Sequence, residues 1–488
     1  MSDAWIVPAI TVLAVAVDLS IRVFALAYVP RNRKPQTAMA WLLAIFLIPY
    51  VGFLLFLLFG STKLPKRRRE KQAEINAYIL ETTEGMDDVV RDPEFPSWLD
   101  SMVELNRNLG SMPLMGGNTA KLYTDYAESL AAMTAAVEKA TKYVHVEFYI
   151  LALDPTTQPF FDALEAAVQR GITVRVLLDH VASIRSPGYR ATIRKLKQIG
   201  VQWHLMLPIQ ILRGRYQRLD LRNHRKFVIV DGMVAFTGSQ NMIDRSYNKR
   251  SNIRRGLVWQ DLMVRFEGPI VAGVNALFVT DWYSETDELL TREGAKVPPE
   301  KTSHNIIDAQ IVPSGPGFDH ENNLRLFNGL LYNAQHKVII TSPYFVPDDS
   351  MLYAITNAAY RGVDVQLFVS AVADQPLVFH AQRSYYEELL RSGVRIWRYA
   401  APTVLHAKHF TIDDDVAVIG SSNMDMRSFT LNFEISVMVH GRHIVDQLRT
   451  VEASYRAHST ELFLDEWLAR PFRSQWLDNV ARLTAAVQ

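Results

Sequence analysis

The chain contains no cysteine in 488 residues. That absence removes disulfides and thiolate metal sites from consideration, and it is compatible with either side of a membrane. An excess of one charge is lacking as well: 52 Lys and Arg stand against 51 Asp and Glu, a formal net charge of +1. A general nucleic-acid binder would carry a basic surplus, so no nucleic-acid partner is expected. What the chain does have is length, enough for two domains or one duplicated domain with ample core.

Two long apolar runs open it. Trp5–Tyr28 covers 24 residues and Ala38–Phe59 covers 22. Each could span a hydrocarbon core of about 30 Å, and together they predict a two-helix transmembrane hairpin over residues 1–62. The first run is too long for the apolar core of a signal peptide and lacks a basic start. Asp18 and Arg22 lie four apart on one helical face, as an intra-helix pair would. The sharper reading is a part in lipid handling, because charge inside a membrane is costly. Pro49 and Gly52 are expected to kink the second helix. Arg31, Arg33 and Lys34 occupy the connection, and Lys63, Lys66, Arg67, Arg68, Arg69 and Lys71 follow the second run. A hairpin puts the amino end and the rest of the chain on one side, and six cations against three favour the cytoplasm there. The cluster Lys66–Arg69 fits either anionic headgroups or a stop-transfer flank. Residues 63–118 read as a charged helical connector.

From residue 119 the chain repeats itself, in halves covering 119–300 and 301–488. Tyr126–Lys142 and His320–Lys337 read as helices, and Tyr143–Leu151 and Val338–Val346 as the strands that follow. Further helices end at Arg170-Gly171 and Arg361-Gly362, where glycine suits a C-cap. They lead into strands Ile172–Asp179 and Val363–Ser370. Another helix ends each time in Gly-Val, at Gly200 and Gly393. The fold class is therefore α/β, with a mixed sheet covered by helices in each half. Charge and proline concentrate in a linker near Glu285–Ile311.

Each half closes on the same string. Asn223–Ser246 reads NHRKFVIVDGMVAFTGSQNMIDRS, and Leu405–Ser428, 182 positions later, reads LHAKHFTIDDDVAVIGSSNMDMRS. The histidine and the later asparagine are 17 positions apart in both, His224 to Asn241 and His406 to Asn423. The pattern is a strand, a tight turn at Asp231 or Asp413, and a return strand ending in Gly-Ser-x-Asn. Histidine and lysine two apart on a strand share a face. His224 with Lys226, and His406 with Lys408, thus stand near Ser239 and Asn241, or Ser421 and Asn423. An imidazole beside an ammonium, a hydroxyl and an amide is equipped for nucleophilic or acid chemistry on a phosphate. Asp231 and Asp413 sit at the turn, where capping of amides competes with direct chemistry.

The halves differ by two insertions. Eleven extra residues before His224 include Leu207, Ile209, Ile211 and Leu212 beside Arg213, Arg215, Arg218 and Arg222, a basic and apolar lip suited to a membrane interface or an ordinary surface loop. Nine extra residues after Arg245 include Lys249, Arg250, Arg254 and Arg255, which fit a phosphate-rich entrance or a solvated loop. With those nine discounted, His224 to Asp261 is 28 positions (37 less 9), as is His406 to Glu434. Glu147 stands on an apolar strand with no acid at the aligned Ser342 or Pro343.

The two strings resemble the HKD motifs of the phospholipase D superfamily, and both are complete. Trp259-x-Asp261 leading into Glu267-Gly268-Pro269, and Ser342–Pro347, are similar to bacterial cardiolipin synthases. The resemblance covers most of the chain. It implies a duplicated phospholipase D-like fold with one site at the pseudo-twofold interface. There Asp261 and Glu434 each orient the imidazole of their own motif, as the acid of a triad does. It further implies that His224 attacks the phosphodiester, that His406 protonates the leaving alkoxide, and that Asp231 and Asp413 complete the catalytic set. Lys226, Lys408, Ser239, Asn241, Ser421 and Asn423 would bind the non-bridging oxygens without metal or cofactor. The substrate implied is phosphatidylglycerol at a bilayer, giving cardiolipin and glycerol, in a multi-pass protein of the bacterial inner membrane with a cytoplasmic catalytic domain. Homo-oligomerisation is left open. A hydrolytic phospholipase D or a transferase to another alcohol is the alternative. A tethered nuclease lacks a basic groove, and a decayed lipid binder would not keep both motifs intact.

Overall fold

The computed structural model describes residues 6–31, 33–61, 63–83, 95–209, 218, 220–290 and 306–485. The chain forms two compact units, residues 1–63 with 211–221, and residues 64–210 with 222–488.

In the large unit the first half contributes strands β1 (Leu114–Tyr123), β2 (Tyr143–Phe148), β3 (Thr173–Asp179), β4 (Gln202–Met206), β5 (Arg222–Asn223), β6 (Lys226–Val230), β7 (Val234–Gly238), β8 (Val258–Gln260) and β9 (Met263–Glu267). The second half contributes β10 (Ile307–Ser314), β11 (Lys337–Thr341), β12 (Phe345–Val346), β13 (Asp364–Ser370), β14 (Arg395–Tyr399), β15 (Thr403–Leu405), β16 (His409–Ile412), β17 (Val416–Gly420), β18 (Met424–Asp425), β19 (Asn432–His440) and β20 (Ser459–Leu462). Sequence reading predicts one mixed sheet per half. The two are in fact fused into one, in the order β20-β14-β13-β11-β16-β17-β19-β10-β1-β9-β7-β6-β2-β3-β4. The seam is the antiparallel pair β1–β10, with Leu114 opposite Gln310.

The cores explain why the fusion is stable. Successive residues of β6 point to opposite faces. Phe227 and Ile229 enter a core that helices Ile270–Thr286 and Arg442–Ala457 cover, and that runs on through Ile419, Ile435 and Val437 of the second half. Val228 and Val230 face a core private to the first half, under helices Tyr126–Glu138 and Gln158–Gln169. Helices Asn322–Asn333 and Asp349–Tyr360 cover the corresponding core of the second half, which also takes in Leu99 and Val103 of helix Ser97–Gly110 and Leu114 of β1. Covered on both faces, the central strands read as unbroken apolar runs. Each fully buried Phe or Val contributes about 2 kcal/mol, so the common core couples the halves strongly. Helix starts follow the capping rules: Asp125 accepts from the Glu128 N–H at 2.9 Å.

The basic residues after the second apolar run are used internally. Arg68 makes a two-pronged pair with Glu285 at 2.9 and 2.7 Å, Arg67 pairs with Asp287 at 2.8 Å, and Lys71 contacts Asp287 and donates to the Tyr283 carbonyl at 2.7 Å. They clamp helix Lys66–Thr82 onto helix Ile270–Thr286. In the first insertion Ile211, Leu212, Arg213 and Arg215 lie outside the described residues, as do Trp5 and linker residues 291–305. Arg218 pairs with Asp220 at 2.6 Å. The second insertion forms a short helix, Arg250–Arg254, with Lys249, Arg250, Arg254 and Arg255 exposed to solvent.

The small unit corrects the expected hairpin. Pro8–Tyr28 is 21 residues long and apolar enough to cross a membrane, and its Asp18–Arg22 pair closes at 2.8 Å. The second run is not one helix but two, Pro35–Leu47 and Pro49–Phe59, broken at Ile48 (φ −135°, ψ 75°). Proline excludes the helical conformation from the residue before it and starts a helix well. The second piece folds back on the first. Arg33 donates to the Gly60 carbonyl at 3.2 Å, Trp41 meets Phe56 edge-on at 5.6 Å, and Tyr28 meets Phe56 at 6.3 Å. Gly52 permits the return, since a Cβ there would lie 2.5 Å from the Ala44 carbonyl oxygen. At the tip, the Tyr50 hydroxyl donates to the Ala14 carbonyl at 3.3 Å.

Candidate active site

The site forms where each half lends a strand to the other. β5, just before His224, runs parallel with Asn432 and Phe433 of β19, and β15, just before His406, runs parallel with β8. The His224 N–H donates to the Phe433 carbonyl at 2.8 Å and the His406 N–H to the Gln260 carbonyl at 2.7 Å. Each histidine is thereby stitched beside the carboxylate of the opposite half. His224 Nδ1 lies 2.9 and 3.0 Å from the two oxygens of Glu434, and His406 Nδ1 lies 2.6 Å from Asp261 Oδ1. This corrects the expectation that Asp261 and Glu434 serve their own motifs: the pairing is crossed, because the pairing of β5 and β15 is crossed. With Nδ1–H held by a carboxylate, the lone pair falls on Nε2.

The lysines stand on the same face as their histidines. Lys226 Nζ donates to the His224 carbonyl at 2.5 Å and Lys408 Nζ to the His406 carbonyl at 2.7 Å. Both are buried. Burial, with the charge of Lys408 added, pushes Lys226 down to about 7 against the opposing pull of Glu434 and Asp261; burial likewise brings Lys408 down to about 8 against the same two carboxylates. Burial and the lysines together hold both imidazoles below their ordinary range. Burial raises Glu434 to about 7, whereas at Asp261 burial is outweighed by His406, Lys408 and the Ser239 hydroxyl together, which keep the carboxyl low. An anion that must be held by both ammoniums should bind more weakly as pH rises through their pKa values. The inhibition constant of tungstate is therefore expected to increase more than about tenfold from pH 7 to pH 9. A flat profile would show that the lysines keep their protons.

Ser239 and Ser421 do not face a phosphate as expected. Ser239 Oγ donates to Asp261 at 2.7 Å and accepts from the Leu262 N–H at 2.9 Å; Ser421 Oγ donates to Glu434 and accepts from the Ile435 N–H at 3.0 Å. They anchor the carboxylates that orient the histidines. The glycine before each serine has a matching reason. A Cβ on Gly238 or Gly420 would lie 2.2 Å from the carbonyl oxygen of Leu262 or Ile435, so only glycine lets the serine reach its acid.

Asn241 donates to the Tyr247 hydroxyl at 2.7 Å, and the Asn423 carboxamide oxygen is buried without a protein partner. Asp231 and Asp413, expected in the catalytic set, are committed elsewhere. Asp231 accepts from the backbone N–H groups of Thr141, Lys142 and Tyr143 at 2.7–2.9 Å; Asp413 accepts from those of Gln335, His336 and Lys337 at 2.7–3.0 Å. Each pins the turn entering a central strand, at the far end of the motif hairpin from its histidine, so the capping role displaces the catalytic one.

Other residues reach the site without a motif to announce them. Tyr149 meets His224 edge-on at 4.8 Å, and Tyr247, from the second insertion, lies tilted against Trp259 at 4.7 Å. Glu147 is buried beneath, accepting from the Asn223 carboxamide at 2.8 Å beside the Arg225–Asp281 pair. Burial, then Asp281, raises its pKa. Glu147 thus supports the strand before His224 and does not face the cluster.

A fused, duplicated sheet with two His-x-Lys strings meeting across a pseudo-twofold defines a phospholipase D-like protein. The model of that fold described as "Cardiolipin synthase, PLD-like domain" matches residues 133–282 and 328–453, and one described as "Phospholipase_D-nuclease N-terminal" matches residues 21–61. Cardiolipin synthase A of Proteus mirabilis is 32% identical over 466 residues, covering 92% of both chains, and that of Edwardsiella ictaluri is 34% identical over 465 residues, covering 93% of this chain and 92% of its own. The chain belongs to the cardiolipin synthase family. Among solved structures, phosphatidylserine synthase of Haemophilus influenzae shares the fold, with a TM-score of 0.59 and 16% identity over 79% of this chain and 99% of its own.

Proposed function

We propose that this enzyme is a cardiolipin synthase that moves a phosphatidyl group from one phosphatidylglycerol to the glycerol hydroxyl of a second, releasing glycerol. The observation that carries the reading is the pair of imidazoles, each tied through Nδ1 to a buried carboxylate of the opposite half with Nε2 left to react. One Nε2 attacks phosphorus and the P–O bond to glycerol breaks, leaving a phosphohistidine. The other imidazole, entering the step as the imidazolium with Nε2 protonated, gives that proton to the departing alkoxide. It then takes the proton of the incoming lipid hydroxyl, which attacks phosphorus and breaks the P–N bond. Lys226 and Lys408 counter the charge on the non-bridging oxygens, with the Asn241 and Asn423 amides alongside. The lipid setting is supported by the apolar small unit and by near-neutral net charge. The test is purified protein in phosphatidylglycerol micelles, with products followed by mass spectrometry. Cardiolipin plus glycerol is expected; phosphatidic acid as main product would mean a hydrolase.

The bent second run bears on placement in the membrane. Ala14 lies 14 residues before Tyr28, about 21 Å along the helix, so the tip held at Ala14 by Tyr50 stops short of the far end of the first helix. We infer one crossing by residues 8–28 and a re-entrant excursion by 35–59, which returns to the side it left. The amino end and the residues just after Phe59 then face opposite sides, unlike the two ends of a spanning hairpin. The cysteine-free chain makes this measurable: single cysteines at Ser2→Cys and Ser61→Cys should react with an impermeant maleimide from opposite faces of sealed vesicles. Labelling of both from one face would restore two crossings.

A further inference from the structure

A helix on the surface of a folded domain ordinarily turns its apolar residues inward and its polar residues to water. Helix Phe472–Arg482, in the second half, does the reverse. Its inward side is small or polar: Ala481 enters the core of the second half, and Asp478 is buried with it. Charge ties this side to helix Pro376–Arg383. Asp478 Oδ1 lies 2.7 Å from His380 Nδ1, and Oδ2 accepts from Arg470 at 2.6 Å and from Arg383 at 3.3 Å. Arg383 also donates to Ser474 Oγ at 2.9 Å.

The outward side is apolar. Phe472 is 77% exposed, Leu483 at the C-cap is 83% exposed, and Trp476, Leu477 and Val480 are exposed as well. At 3.6 residues per turn, Phe472, Trp476, Val480 and Leu483 fall within an arc of about 80°. Single exposed apolar residues are ordinary, but a contiguous stripe marks a contact surface. Arg473 borders the stripe, exposed and without an ion pair among the described residues. The only acid of the helix, Asp478, is turned inward against two guanidiniums. The outward side therefore presents positive charge and no negative charge.

A second copy of the chain is a poor occupant for this stripe. Its five side chains fall well short of the roughly 20–30 residues that each partner gives to a stable protein interface. A bilayer suits it better, and the chain brings one with it, because residues 8–28 are apolar enough to cross a membrane. An aromatic and aliphatic face edged by arginine, with no exposed acid, matches the headgroup–acyl boundary of an anionic bilayer. A single attachment leaves a folded unit free to turn on its tether. The tether joins the catalytic unit at helix Lys66–Thr82, which Arg68 and Glu285 clamp to the first half. The stripe belongs to the second half. Helix Pro376–Arg383, which carries it, follows β13, and the last residue of β13, Ser370, donates to the Leu405 carbonyl at 3.3 Å, next to His406.

We propose that helix Phe472–Arg482 docks the second half onto an anionic bilayer through Phe472, Trp476, Val480 and Leu483, giving the catalytic unit a second membrane attachment. The cysteine-free chain allows one reporter to test this in the full-length protein. Val480→Cys carrying a nitrobenzoxadiazole label is placed in vesicles of phosphatidylglycerol and phosphatidylcholine. An interfacial helix sits about 5–10 Å into the headgroup–acyl boundary, so a nitroxide near the headgroup end of the lipid chain should quench the label by at least about half. Iodide in the water should quench it little. Leu483→Asp, on the same face, should reverse the two sensitivities. Unchanged lipid quenching in that variant would show that the label and not the helix seeks the lipid, and would overturn the proposal. Quenching by iodide but not by lipid nitroxide in the parent would overturn it too. Protection from both quenchers would do the same, and disulfide cross-linking of oxidised Val480→Cys would then assign the stripe to a second copy. No reading requires turnover, so each result stands whether the enzyme transfers or hydrolyses.

Discussion

Cardiolipin formation is expected to fall by about 10⁴-fold or more in His224→Ala and, separately, in His406→Ala, with folding retained. Both imidazoles are buried and held in one tautomer, so no other side chain is placed to substitute for either. The two variants should nonetheless differ with an activated substrate. Glycerol is a poor leaving group and needs a proton. A nitrophenolate does not, so a nitrophenyl phosphodiester bypasses the acid and tests the attacking group alone. If His224 attacks, as superfamily resemblance implies, His406→Ala should release one nitrophenolate per site in a burst and stop as a phosphohistidine at position 224. His224→Ala should show no burst. The reverse pattern would exchange the roles. Steady turnover by either variant would remove the covalent intermediate from the mechanism.

The crossed carboxylates carry the second large effect. Glu434→Gln and Asp261→Asn keep the shape of each acid but reverse the preference for the Nδ1–H tautomer. A comparable change in a serine-protease triad costs about 10⁴-fold, and losses of about 10²–10⁴-fold are expected here. Which acid serves which base is settled by combining variants. Glu434→Gln placed on His224→Ala should add little further loss, because the group it orients is already gone, whereas Asp261→Asn placed on His224→Ala should add its own penalty. The opposite pattern would mean that each acid acts within its own motif. Nitrogen chemical shifts of labelled histidines give a second readout, since Glu434→Gln should shift the tautomer of His224 and leave that of His406 in place.

How much of this could be read from residues alone depends on whether the information is local. Strand and helix positions in both halves, the hairpin of each motif and the equal 28-residue spacing to Asp261 and Glu434 follow from short-range patterns. The crossing of the carboxylates does not. Spacing gives a distance along the chain but cannot say that the strand before His224 pairs with Asn432 and Phe433 of the other half. For Ser239 and Ser421, the hydroxyl type was readable but the acceptor was not: a serine donates as well to a buried carboxylate as to a phosphate. Asp231 and Asp413 were visible at a turn, yet the amides they hold belong to segments about 90 residues away in the first half and 78 or fewer in the second. Pro49 was readable as a disruption. That the disruption is a reversal and not a kink depends on Gly52 packing against Ala44, a contact between helices that must already be folded. Tyr149 carries no motif, and only the fold brings its ring against His224.

The crossing of the carboxylates also bears on when the protein becomes chemically competent. Glu434 lies 210 residues beyond His224, so the first half of the chain leaves the ribosome bearing a complete His-x-Lys string whose imidazole has no acid to set it. Asp261 is made early, but its histidine is not. A chain that ends before Glu434 therefore lacks the carboxylate that meets His224 Nδ1 in the folded protein. Both acid–imidazole pairs thus span the two halves, and neither can close before the second half is made.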